Sequence, residues 1–320
     1  MGSANREHVM KKVLVLGSSG RLGAAVTKAF AAAGWTVQAQ RRTASQTPLP
    51  NGATEALVDP LDVDRAFALV GAVDVIVHAA NPPYAEWPTA SVPLLAATIA
   101  LAKKTGATIL FPGNIYNFGS TQPELLLENT AQRADTKKGK IRVQLEHMLQ
   151  VAASEGVPSV VLRAGDFFGS GSGSWFDLAT VKEIAKGKVA TLSPPNTKHS
   201  WAYVPDLAQM FVRVAEARDT LPKFAVVNFA GYCITMEEMA AALARVTGRA
   251  VALKRFPWAF IRAASLVVPG WRELPELRYM WEMPHEIVAG AVAKSLAPPI
   301  TPLDEALTAS LAALATLAKR

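Results

Sequence analysis

A glycine-spaced turn between an apolar run and an alanine-rich one constrains this chain more than any other feature. Val13-Leu14-Val15-Leu16 leads into Gly17-Ser18-Ser19-Gly20-Arg21-Leu22-Gly23, and Ala24-Ala25-Val26-Thr27-Lys28-Ala29-Phe30 follows. A short β-branched run, a turn that needs glycine and a helix-forming stretch, in that order, predict a strand, a tight turn and a helix. Glycines at this spacing let backbone N–H groups and a helix N-terminus approach an anion that a Cβ would hold off. The spacing points to the pyrophosphate of a dinucleotide, with Gly17, Ser19, Gly20, Arg21, Leu22 and Gly23 as its cradle. A turn of the same shape that binds nothing is the competing reading.

The alternation continues. Apolar runs at 13–16, 36–40, 56–58, 73–78, 108–111 and 159–162 predict strands, and periodic windows at 22–33, 63–69, 92–105 and 142–154 predict helices. Gly34, Gly71, Gly106 and Gly156 stand where each helix should stop. Strands alternating with helices predict an α/β fold, a doubly wound parallel Rossmann sheet covered on both faces. Past Ala164 the regularity breaks into Gly- and Ser-rich loops, and a mostly helical tail follows Thr235, punctuated by Pro257, Pro269, Pro275, Pro284, Pro298 and Pro299. The expected division is a dinucleotide-binding domain over 10–165, to which 199–230 returns, and a smaller, mostly C-terminal substrate-binding part over 166–198 and 231–320. The apolar stretch 258–268 reads as core, dimer face or pocket wall.

Composition narrows the function. No run of the sequence approaches the ~20 apolar residues of a membrane span, and Met1 to His8 carry no apolar signal segment. The single cysteine, Cys233, fits a reducing, cytoplasmic setting and reads as a buried small hydrophobe. The net charge of +7 is spread along the chain, densest at Lys137-Lys138-Gly139-Lys140, which argues against a nucleic-acid partner. Scattered His and carboxylates give no metal spacing. A small-molecule substrate and, at most, a second copy of the chain are the expected partners.

The second strand ends on Arg41-Arg42, with no Asp or Glu between Thr36 and Arg42. An acidic residue at that place reads a ribose 2′-hydroxyl, whereas an arginine accommodates a 2′-phosphate. NADP(H) is therefore expected over NAD(H).

With these residues in place, the chain resembles the extended and atypical short-chain dehydrogenase/reductases, the superfamily of nucleotide-sugar epimerases and dehydratases. Gly17, Gly20 and Gly23 match its G-x-x-G-x-x-G turn, and Val77-His78-Ala79-Ala80-Asn81 is similar to its His-Ala-Ala stretch. The resemblance implies that Asp59 lies beside the adenine and that Ala79, Ala80 and Asn81 run along the cofactor. It implies that the segment 162–169 reaches nicotinamide and substrate, with Ala164 on the cofactor and Asp166 and Phe168 in the substrate pocket. The segment 199–208 resembles the family's late Tyr-Val-x-Asp segment, which adds His199 and Tyr203 to the pocket. Tyr84 is a further pocket candidate.

The catalytic pattern departs from the family, whose proton chemistry uses a Ser and a Tyr-x-x-x-Lys motif. Matching the segments puts Asn114 at the serine, Lys138 at the tyrosine and Arg142 at the lysine, where it would hold the nicotinamide ribose. No tyrosine occurs between Tyr116 and Tyr203. Lys138 is either the substitute acid or a solvated lysine; Tyr116 is either a replacement phenol or loop packing. Three functions stay open: an NADP(H)-dependent oxidoreductase reducing a carbonyl, a non-catalytic NADP(H) sensor, and a nucleotide-sugar epimerase or dehydratase.

Overall fold

Residues of the first strand alternate between two faces, and that alternation builds the molecule. In the computed structural model, which describes residues 10–44, 48–265, 275–298 and 300–317, Val13 and Val15 face one hydrophobic core while Leu14 and Leu16 face another. The expectations for Met1 to His8, for the end of the 258–268 stretch, and for Pro269 and Pro299 lie outside the described residues.

The elements are β1 (Lys12–Leu16), α1 (Arg21–Ala32), β2 (Thr36–Arg41), β3 (Ala53–Leu57), α2 (Val63–Val70), β4 (Val75–His78), α3 (Trp87–Thr105), β5 (Thr108–Gly113), β6 (Leu125–Leu126) and α4 (Lys137–Ser154). Then come β7 (Ser159–Arg163), β8 (Asp166–Phe168), β9 (Lys188–Thr191), β10 (His199–Tyr203), α5 (Val204–Ala217), β11 (Phe224–Asn228), β12 (Tyr232–Ile234) and α6 (Met236–Thr247). The chain ends with β13 (Ala252–Arg255), α7 (Trp258–Ala264), α8 (Tyr279–Glu282), β14 (Glu286–Ile287), α9 (Ala291–Leu296) and α10 (Leu303–Leu317).

Seven strands form one parallel sheet in the order β3-β2-β1-β4-β5-β7-β11. Helices α1 and α5 pack together over one face, burying Val26, Phe30, Met210 and Phe211. Helices α2, α3 and α4 cover the other, burying Leu95, Leu101, Leu145 and Leu149. This is the doubly wound Rossmann sheet that the alternation predicts. Its strand order reverses between β1 and β4, and a ligand crevice opens at the carboxyl ends of strands at such a point.

The smaller part carries a three-stranded sheet, β12-β10-β8, a β13-β9 pair, and α6 packed on α10. Strand β10 belongs to that sheet, whereas α5 and β11, which follow it, belong to the main one. A strap from Pro275 through α8 to β14 crosses back to pair with β6.

Boundaries shift where capping and proline chemistry override periodicity. Helix α4 begins at Lys137, earlier than 142, because Thr136 accepts the Gly139 N–H at 3.1 Å and so caps it. Helix α3 begins at Trp87 because Pro88 is tolerated in a first turn, and it continues through Pro93. Strand β3 begins at Ala53, ahead of the apolar 56–58, since the edge strand pairs by backbone on one side alone.

Candidate active site

The glycine turn stands at the carboxyl end of β1, beside the end of β4. Gly17 has φ +74°, and a Cβ there would lie 2.5 Å from Ala80 Cα. A Cβ on Gly23 would lie 2.2 Å from the Gly17 carbonyl oxygen, so α1 starts tight against the turn. Gly20 caps α1 without a side-chain bond, and no acidic residue occupies the first turn. The N–H groups of Arg21, Leu22 and Gly23 thus have no intrahelical acceptor and the positive helix end is uncompensated. Arg21 extends beneath Gly173, whose Cβ would lie 3.1 Å from Arg21 Nη1, and that buried nitrogen has no partner. Unpaired backbone donors, a nearby cation and room for close approach fit a dinucleotide pyrophosphate.

Gln40, near the end of β2, fixes this cradle. Its Oε1 accepts the Gly17 N–H at 2.9 Å and its Nε2 donates to the Val58 carbonyl at 2.6 Å, while Ser18 Oγ donates to the Gln40 carbonyl at 2.8 Å. The next residue departs from expectation. Arg41 is buried and its Nη1 pairs with Glu55 Oε1 at 2.9 Å, so this guanidinium is already partnered. Arg42 is exposed at the same rim, as is Asp59, whose carboxylate accepts the Leu61 N–H at 2.9 Å. Ala79 and Ala80 are half-buried along the turn and Asn81 is exposed.

Beyond the cradle, side chains from separate segments converge. The hydroxyls of Tyr84, from the loop after β4, and Tyr116, from the turn after β5, are 2.7 Å apart. Lys138 on α4 places its Nζ 5.5 Å from the Tyr84 ring centroid and 2.7 Å from Glu276 Oε2. Lys138 is only 2% exposed, which removes the reading of a solvated lysine. Arg142, one turn on, donates to the Pro112 carbonyl, and its guanidinium carbon lies 4.8 Å from the Phe111 ring centroid and 5.6 Å from that of Trp87. Gly139 lets α4 abut the tyrosine turn, since a Cβ there would stand 2.4 Å from the Tyr116 carbonyl oxygen. Asn114 spends its side-chain oxygen on the Tyr116 N–H, at 3.1 Å.

Burial pushes the Tyr84 phenol up, against the lowering effect of its bond to Tyr116 and of the Arg142 and Lys138 charges. Burial pushes Tyr116 well above the ordinary phenol value, helped by Tyr84 and by the Asp166 charge. Both phenols are therefore protonated at neutral pH. Burial also lowers Arg142, opposed by Glu146.

Asp166 forms the far wall. His199 Nε2 lies 2.9 Å from Asp166 Oδ2, and Trp281 Nε1 donates to the same oxygen at 2.8 Å. Burial raises this carboxyl, but the bonds from His199 and Trp281 outweigh it and hold Asp166 below the usual range. His199 is buried with Nδ1 unpartnered, and the His285 ring centroid is 4.5 Å away. The strap supplies this roof: Glu276 reaches Lys138, Tyr279 its hydroxyl to the Tyr116 carbonyl at 3.5 Å, Trp281 Asp166, and His285 Nε2 accepts the Ser200 N–H at 3.4 Å.

Nothing local in the sequence marks Glu276, Tyr279, Trp281 or His285. The one available signal is a cluster of aromatic and polar residues that runs from Pro275 to His285. Two expected pocket residues are not brought to this corner. Phe168 is fully buried in the core of the smaller part, and Tyr203 packs on it at 5.3 Å between centroids. Ala164 is buried at the end of β7. His78 is core, 2.8 Å from Thr98 Oγ1, with burial lowering it to about 3. Cys233 is half-buried rather than buried as expected, and burial raises its thiol to about 11. Among the described residues no helix is long and apolar enough to cross a membrane, and no group of His, Cys, Asp and Glu is placed to hold a metal.

The sequence pattern of the NAD dependent epimerase/dehydratase family matches residues 13–230. No curated protein is significantly similar to the chain. Among solved structures, L-threonine dehydrogenase from Clostridium difficile is 19% identical, with a TM-score of 0.73 over 97% of this chain and 98% of its own. The UDP-Glc/GlcNAc 4-epimerase from Campylobacter jejuni is 14% identical, with a TM-score of 0.73 over 95% and 98%. The Bordetella bronchiseptica enzyme WbmH, solved in complex with NAD+, is 14% identical, with a TM-score of 0.72 over 95% and 98%. At such identities the likeness is one of fold. A family match over well more than half of the sequence, on a sheet of this strand order, makes the chain a member of the NAD dependent epimerase/dehydratase family.

Proposed function

We propose that this protein is an NADP(H)-dependent oxidoreductase that reduces the carbonyl group of a small organic substrate, with the Tyr84–Tyr116 pair as proton donor. The observation that carries this reading is the 2.7 Å contact between the two phenol oxygens beside Lys138. The α4 position that would hold the family's tyrosine holds Lys138, and a phenol from the loop after β4 comes across to meet it.

The glycine cradle and the first turn of α1 hold the pyrophosphate of the dinucleotide, and Arg21 neutralises part of its charge. When bound, the reduced nicotinamide supplies a hydride. Tyr84, the less buried phenol, donates a hydrogen bond and then a proton to the carbonyl oxygen, and Tyr116 backs it by hydrogen bonding. Lys138 and Arg142 stabilise the negative charge left on the pair, as their lowering effect on Tyr84 indicates. Both phenols carry their proton at neutral pH, as a proton donor must, and the Arg142 charge opposes the upward push of burial on each. A preference for NADP(H) is supported by exposed Arg42 and by the lack of a carboxylate at the end of β2.

A second reading, an epimerase or dehydratase, is favoured by the family match and by epimerases among the similar structures. That chemistry opens with removal of a hydroxyl proton. The two readings separate in one experiment. The protein is titrated with NADPH and NADH by fluorescence, then incubated with NADPH and a carbonyl panel or with NAD+ and UDP-glucose. Tighter NADPH binding and carbonyl-dependent NADPH oxidation are expected. Conversion of UDP-glucose to its 4-epimer without carbonyl reduction would replace the first reading with the second.

A further inference from the structure

Beside the phenol pair stands a wall of tryptophans. Trp281 is buried and fixed by its bond to Asp166. Trp175 packs edge-on against it at 4.6 Å between centroids, and Trp258 lies tilted at 5.5 Å. Both flanking indoles are half-buried, so each keeps part of its surface open. Trp258 is anchored by donating from Nε1 to the Leu192 carbonyl at 2.9 Å. The same hydrophobic cluster contains Trp87, Tyr116 and Leu277, which makes the wall continuous with the proton donor.

Among the described residues the cations of this corner are drawn to protein groups, Arg142 to the Pro112 carbonyl with its Nε left unpartnered. Lys138 pairs with Glu276, Arg163 with Glu146 at 2.8 Å, and Arg278 with Glu282 while lying 5.8 Å from the Trp258 centroid. Of the basic residues in the second half that would clamp a diphosphate, Lys182, Lys186, Lys188 and Lys198 are exposed, Lys186 beside Glu183, while Arg213 donates to the Leu296 carbonyl and Arg218 pairs with Asp74 at the amino ends of the strands. A nucleoside-diphosphate sugar brings two negative phosphates that need such a clamp. A planar, uncharged aromatic ring needs only faces and edges of other rings.

Resting on the oxidoreductase reading, we propose that the substrate is an aryl ketone or aldehyde, its ring held against the Trp175–Trp281–Trp258 wall and its carbonyl oxygen at the Tyr84–Tyr116 pair. In the reaction the carbonyl carbon gains a C–H bond by accepting a hydride from the reduced nicotinamide. Its oxygen takes the phenol proton, and an alcohol and oxidised cofactor leave. The phenol is reprotonated from water.

The test uses the full chain saturated with NADP+, titrated in a calorimeter with 2-acetylnaphthalene and, separately, with UDP-glucose. Binding of the aryl ketone is expected, with Trp175→Ala weakening it roughly tenfold or more and Trp175→Phe restoring most of the affinity. NADPH affinity should be the same in all three proteins, which marks the loss as one of the wall rather than of the fold. Tighter binding of UDP-glucose than of the ketone, or a ketone affinity untouched by Trp175→Ala, overturns the substrate class and leaves the cofactor reading standing. Failure of every form to bind NADPH overturns the reading beneath it.

Discussion

The cofactor cradle and the catalytic corner are built from different materials. The cradle is backbone: Arg21, Leu22 and Gly23 contribute N–H groups, and Gly17, Gly20 and Gly23 the absence of Cβ, all within a few residues of one another. The corner is side chains: Tyr84, Tyr116, Lys138, Asp166, His199, Glu276 and Trp281 come from segments spread over most of the chain. A backbone site depends on one local turn and has no room for a Cβ at Gly17 or Gly23. A side-chain site depends on tertiary packing, and another element can supply a missing group. That is how a chain without a tyrosine on α4 still has phenols beside that helix.

The largest effect on cofactor binding belongs to the cradle. Gly17→Val puts a branched side chain where even a Cβ lies 2.5 Å from Ala80 Cα, at a φ of +74° that β-branched residues avoid. NADPH affinity is expected to fall by more than about a hundredfold, read by fluorescence titration with circular dichroism as a check on the fold. An affinity within tenfold of the parent would break the contrast, because the turn would then not be the site.

The smaller effect spans both regions. His78 lies at the carboxyl end of β4 and His285 in the strap, and burial lowers each from 6.5 to about 3. Below pH 6.5 the unfolded chain binds protons at these imidazoles that the folded chain refuses until about pH 3. Stability therefore falls as pH drops through that window, by at most ~1.4 kcal/mol per pH unit for each histidine. Urea midpoints measured from pH 7 downward should show the fall, and His285→Gln should reduce its slope. A midpoint that stays flat to pH 4 would mean that neither region buries its histidine.

The same contrast explains what the sequence reveals. The glycine turn, the alternating strands and the end of β4 are local patterns, so sheet and cradle are readable residue by residue. Arg41 is not: its partner Glu55 sits on the neighbouring strand, and only β2–β3 register brings the two together. Lys138 reads as one lysine among several in a basic turn until the strap lays Glu276 against it. Phe168 and Tyr203 lie two and four residues beyond Asp166 and His199, a spacing that keeps each pair on one strand face, yet both rings pack into the core of the smaller part, which only the tertiary fold decides. Trp281 carries no spacing that ties it to Asp166, and no periodicity argument finds it.

The most direct test of the account is Tyr84→Phe, assayed for NADPH affinity and for NADPH-dependent reduction of 2-acetylnaphthalene in parallel with the parent and with Tyr116→Phe. If the phenol pair donates the proton, Tyr84→Phe loses roughly 100- to 10,000-fold in turnover. Tyr116→Phe should lose about tenfold, and both variants should keep cofactor affinity within about threefold. Turnover by Tyr84→Phe within a few-fold of the parent, at equal cofactor affinity, would contradict the assignment of the proton to this pair.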